Sequence, residues 1–81
     1  MNQVDVIAKL QTVFDEVFVE PVKVTPELTA ADVDEWDSLL HVSLEVAVEK
    51  AFGIQFRVGE ARLAKNVGEF ANLILRRLAE R

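Results

Sequence analysis

The side chains able to do chemistry gather in one stretch, DEWDSLLH, from Asp34 to His41. Ser38 offers a hydroxyl directly after an acid. His41, the one histidine, follows three residues later, a single turn along if this stretch is helical. Asp32, Asp34, Glu35 and Asp37 crowd the approach. Three chemistries suit these types: a serine nucleophile with a histidine base, a cation held by carboxylates, or a serine that carries an anionic ester at a helix start.

The first two fit poorly. A nucleophilic serine needs a base and an oxyanion hole, and no Gly-rich nucleophile turn surrounds Ser38. His41 is read instead as a surface residue. A calcium loop of the EF-hand type beginning at Asp32 needs an oxygen ligand two and four residues on, then glycine, and a glutamate at its end. Trp36, Asp37 and Ser43 stand at three of those places. The third fits physically. Asp37 is a good N-cap, which puts Ser38 in the first turn, where free N–H groups and the helix dipole both favour an anion. Helix capping alone also accounts for an Asp-Ser pair. Trp36, the only tryptophan, is expected to pack the end of the preceding loop onto the core.

The elements that must position this stretch are helical. Ile7, Leu10, Phe14 and Val17, widened by Val6, Val13 and Phe18, make an amphipathic helix over Val4 to Phe18. Pro21 ends it. From Val22 to Asp37 the chain carries Pro26 and five acids with scattered apolar residues, the pattern of a long loop with one irregular turn, pinned to the core by Leu28 and Val33. A second helix runs from Ser38 to about Phe52, closed by Gly53. Its apolar residues fall on two lines, Leu39, Val42, Val46 and Leu44, Val48, Ala51, Phe52, so it should touch more than one neighbour. After a short extended IQF, Val58 to Leu63 suits one or two turns. Asn66 then caps a last helix from Val67 to about Ala79, with the stripe Val67, Phe70, Ala71, Ile74, Leu78. The fold class is all-α: a small four-helix bundle, three main helices plus one short helix, with a long loop between helices 1 and 2.

Composition agrees. The chain has 81 residues, the length of one domain, so 1–81 is read as a single unit. At 51% apolar and 28% charged it is a folding composition, and without cysteine the core must hold the fold unaided. Charge is unevenly divided. Residues 1–49 hold eleven acids against Lys9 and Lys23, while 50–81 hold three acids against seven bases. The acidic front opposes binding to nucleic acid or anionic membrane and favours basic protein surfaces. The basic end, with Arg76, Arg77 and Arg81, suits the last turn of a helix. No apolar stretch approaches membrane-spanning length, no membrane insertion is expected, and the start of the chain lacks a secretory pattern, so a cytoplasmic monomer is the expectation.

Asp37-Ser38-Leu39 after an acidic loop, a helix ending in AFGIQF and then NVGEFANLI together resemble the acyl carrier proteins of fatty-acid and polyketide synthesis. The resemblance spans nearly the whole chain. It implies a four-helix bundle whose motif serine, Ser38, bears 4'-phosphopantetheine. A phosphopantetheinyl transferase would attach that group from coenzyme A, reading Asp37 and Leu39 beside the serine. The protein would then be no enzyme but a substrate of synthase and acyl-transferring enzymes, carrying acyl groups as thioesters in lipid metabolism. Leu39, Leu40, Glu45 and Glu49 are the expected partner contacts.

The sequence also departs from the family's habit. Leu40 and Ser43 stand where fatty-acid carriers usually place acids, which makes the partner face more apolar and suggests a specialised carrier. Peptidyl carriers usually show a glycine pair with His or Asp before the serine, against Glu35-Trp36-Asp37 here. Acyl cargo is thereby favoured, with aminoacyl or D-alanyl cargo, or an unmodified helical interaction domain, as alternatives.

Overall fold

The computed structural model describes all residues, Met1–Arg81. Three helices make the bundle: α1 (Gln3–Val17), α2 (Ser38–Phe52) and α3 (Val67–Glu80). The short fourth helix is a single 3-10 turn, Ala61–Leu63, and a second such turn, Ala30–Asp32, lies within the long loop. There are no strands.

Each main helix begins on a side chain suited to the task. Asn2 accepts from the Asp5 N–H at 3.0 Å while the Asp5 carboxylate accepts from the Asn2 N–H at 3.2 Å, a reciprocal capping box. Asp37 caps α2 and Asn66 caps α3, each accepting from the N–H three residues on but without the reciprocal bond. The end of α2 is set by Gly53, whose φ of 66° and ψ of 39° place it in the left-handed region. Arg81 reaches back to this point and donates to the carbonyls of Phe52 and Gly53 at 3.3 and 3.2 Å, serving two acceptors that the helix end leaves open.

α1 is the central element, packed against both α2 and α3. Its deepest residues are Val6, Leu10, Val13 and Phe14: Leu10 and Phe14 lie in the stripe that the spacing marked, Val6 and Val13 come from its margin, and Ile7 and Val17 are only half-buried. From α2 come Leu44, Val48 and Phe52, and from α3 Val67, Phe70, Ala71, Leu73 and Ile74. No polar or charged residue is buried in this core.

The two apolar lines of α2 do not share a fate. Leu44, Val48 and Phe52 go inward, with Leu40, Ala47 and Ala51 half-buried beside them. The line Leu39, Val42, Val46 faces solvent, exposed by 79%, 43% and 45%. The expected second neighbour for that line does not exist within the chain.

The long loop is tied down by hydrogen bonds more than by apolar anchors. The Gln11 amide bridges it, donating to the Val22 carbonyl at 2.7 Å and accepting from the Val24 N–H at 2.9 Å. Both Glu35 oxygens accept backbone N–H groups, from Val19 at 2.8 Å and Glu20 at 3.1 Å. Farther on, the N–H groups of Val67 and Gly68 donate to the carbonyls of Leu28 and Pro26 at 2.9 and 2.8 Å, joining the loop to the first turn of α3. Leu28 and Val33 pack on the core as half-buried residues.

Gly53 offers a direct test of this frame. A Cβ there would sit 2.8 Å from the Arg81 guanidinium on a left-handed backbone. Gly53→Ala should therefore lower unfolding free energy by about 1–2 kcal/mol in urea melts, most of it from the backbone.

Candidate functional site

Ser38 opens α2. The Asp37 carboxylate accepts from the Leu40 N–H at 2.8 Å and its carbonyl accepts from the His41 N–H at 2.9 Å. Such a cap contributes about 1 kcal/mol. The N–H groups of Ser38 and Leu39 have no acceptor within the chain, and neither does the Ser38 hydroxyl. Ser38 and Leu39 are both exposed. The serine is thus held by its backbone, with a free side chain and unpaired donors beside it.

Trp36 fixes how the loop arrives at that serine. Its indole stands edge-on to Phe14 and Phe18, with ring centroids 5.4 and 5.8 Å away, and the two phenyl rings stack on each other at 4.9 Å. Aromatic pairs of this geometry each add about 0.5–1.5 kcal/mol beyond their buried area. The Trp36 Nε1–H donates to His41 Nδ1 at 3.1 Å. Because the indole only donates, Nδ1 is the acceptor of this bond, which leaves Nε2 as the free ring nitrogen. That nitrogen lies 3.3 Å from Glu45 Oε1, without the alignment of a hydrogen bond.

His41 is therefore not a surface residue, as its sequence context suggested. It is half-buried and stacks on Trp36, with ring centroids 6.1 Å apart. Its Nδ1 is engaged by the indole and its Nε2 is turned to Glu45, so it makes no hydrogen bond to Ser38. Nothing in this arrangement activates the serine as a nucleophile.

Three acids of the loop are similarly engaged in local structure. Asp32 holds the Thr29 N–H at 3.0 Å, and Glu35 and Asp37 hold the groups named above. No cluster of three or more His, Cys, Asp or Glu side chains is placed to hold a metal ion.

The residues expected to meet partners are separated by the fold. Leu39 is fully presented, whereas Leu40 lies half-buried against the core. Glu45 faces His41. The Glu49 carboxylate accepts from the Phe56 N–H at 2.8 Å, holding the segment after α2. Val42 and Val46, noted in the sequence only as apolar positions, join Leu39 on the open face.

Beside Ser38 lies an open cleft of about 420 Å³. Its lining includes Trp36, Ser38 and His41 together with Arg62, Lys65 and Phe70. Arg62 and Lys65 were not singled out by the sequence reading, because they are more than twenty residues from the serine in the chain. The only early signal was their position around the short helical turn before the Asn66 cap.

Two comparisons bear on this geometry. A curated acyl carrier protein from Thermosynechococcus vestitus is 34% identical over 80 residues, covering 98% of this chain and 99% of that protein. The chain belongs to the acyl carrier protein family. Among solved structures, the solution NMR structure of holo acyl carrier protein from Geobacter metallireducens superposes with a TM-score of 0.74 at 36% identity, over 96% of this chain and 86% of that one. No family model matches the chain. The all-helical architecture read from the sequence is that of the family, and no helix is long and apolar enough to cross a membrane.

The bond between Trp36 and His41 can be measured. In a cycle of Trp36→Phe, His41→Leu and the double variant, urea unfolding should give a coupling of about 0.5–1.5 kcal/mol. Additive losses would mean that the indole contributes through packing alone.

Proposed function

We propose that the protein carries acyl groups as thioesters on a 4'-phosphopantetheine arm joined to Ser38. The observation that carries this reading is Ser38 itself. An exposed hydroxyl without an internal partner stands at a helix N-terminus, with two free N–H groups next to it, in a chain of this family. These features suit a phosphodiester, whose charge the helix start favours. The arm, when attached, supplies a terminal thiol for thioester formation.

Attachment requires outside help. The Ser38 oxygen bonds to phosphorus as the pyrophosphate linkage of coenzyme A breaks, and the adenosine bisphosphate half leaves. No base of this chain is hydrogen-bonded to the hydroxyl, so its proton goes to a phosphopantetheinyl transferase. Asp37 serves that enzyme by fixing the serine's backbone, and the exposed Leu39 offers it an apolar contact. The chain acts as substrate and carrier, not as catalyst.

The partner face supports a specialised carrier working with its own synthase or acyltransferase. Leu39, Val42 and Val46 form an apolar line along α2, and Ser43 lies exposed on the same side. Such a face favours a partner with an apolar docking surface, bordered by bases that meet the acidic front half. Glu45 contributes at the edge of this surface, while Glu49 supports it from within through Phe56.

Incubation with coenzyme A, magnesium and a broad-specificity transferase should raise the intact mass by one phosphopantetheine, and Ser38→Ala should abolish the gain. A folded wild-type chain that never gains the mass, beside a carrier that does, would leave Ser38 a helix-cap residue and favour an interaction domain. The specialised face has its own test. Val42→Glu combined with Ser43→Glu leaves the core untouched and should raise turnover by general fatty-acid synthesis enzymes. Unchanged turnover would count against a specificity role for this face.

A further inference from the structure

The cleft beside Ser38 has a sign opposite to the rest of the front half. Asp37 is the only carboxylate in its lining, and that group already accepts from the Leu40 N–H. Arg62 and Lys65 share that lining. Neither side chain forms an ion pair or a hydrogen bond within the protein. Other bases are engaged: Arg77 with Glu60 and Glu80, Arg81 with the end of α2, and Lys9 over the Phe52 ring. Lys23, Lys50, Arg57 and Arg76 are as free, but none of them lines this cleft.

The backbone under the two cations is fixed. Ala61 is buried at 1% exposure and anchors the 3-10 turn that carries Arg62. The Lys65 N–H donates to Glu69 Oε1 at 3.0 Å, and Asn66 next to it caps α3. Both cationic side chains are therefore presented from short, tethered segments, which reduces the entropy lost when they bind an anion.

Accepting Ser38 as the attachment point, we propose that Arg62 and Lys65 form a cationic clamp for the phosphodiester at that serine. It draws the arm back across the cleft over Trp36 and Phe70. The clamp makes the two bases positioning residues: they decide where the arm rests between visits to partner enzymes. In a chain of net charge −5, these two bases give the cleft beside the serine a local excess of positive charge, which attracts a phosphodiester.

Trp36 supplies the readout, being the only tryptophan and part of the cleft wall. Intrinsic fluorescence and acrylamide quenching are compared between the apo chain and the holo chain with a bare thiol, each verified by intact mass. At low salt the holo form should show shifted emission and weaker quenching. With no cargo present, that difference reports the arm and its phosphodiester, not a carboxylate on an acyl group. It should vanish in the doubly substituted Arg62→Gln, Lys65→Gln chain loaded to the same mass. It should also fade in the unsubstituted holo chain at about 1 M salt, where the screening length falls to about 3 Å. The salt series needs no variant and so is independent of any folding defect.

A holo chain indistinguishable from the apo chain at low salt would overturn the clamp. So would a difference that survives both the double substitution and high salt, since the arm would then be held by apolar contact alone. Failure of the wild-type chain to gain mass is read separately and would overturn the attachment reading itself.

Discussion

The contact of Trp36 with Phe14 and Phe18 sets the position of everything around Ser38. α1 can be formed from its own periodicity, but a loop of some twenty residues could rejoin the bundle in many ways. The indole edge against two stacked phenyl rings selects one of them. With Trp36 seated, Asp37 follows as the cap, and Ser38 opens α2 with its side chain exposed. The indole N–H then reaches forward to His41, so the same residue ties the loop to the core on one side and to α2 on the other.

Much of this was legible in the sequence, for reasons that can be stated. The three helices announce themselves by apolar spacing, and their limits by Asp37, Gly53 and Asn66, residues whose side chains or backbone freedom suit helix ends. The family resemblance rested on that same pattern around Asp37-Ser38-Leu39. What was hidden depends on single contacts or on distance along the chain. Gln11 and Glu35 fasten the loop through side-chain bonds to backbone groups, which leave no periodic trace. The burial of His41 follows from one indole N–H. Which apolar line of α2 turns outward could not be read from the helix alone, since both lines are equally apolar and only the placement of α1 and α3 decides between them.

The two open surfaces near Ser38 differ in chemistry. Along α2 runs an uncharged apolar line, and on the cleft side stand bases. Three of the acids that precede the serine, Asp32, Glu35 and Asp37, are turned to backbone N–H groups that would otherwise be free. Negative charge in this region does two things at once: it shapes the loop and gives the front of the molecule its sign.

The bonds from Val67 and Gly68 to Leu28 and Pro26 have a consequence for motion. They make the middle of the long loop and the start of α3 one cooperative unit, so neither can open without exposing the other's donors or acceptors. Gly68 permits this closeness, since a Cβ there would lie 3.2 Å from the Pro26 carbonyl oxygen. The approach to Ser38 is thereby braced from two directions, by α3 through the loop's centre and by α1 through Trp36.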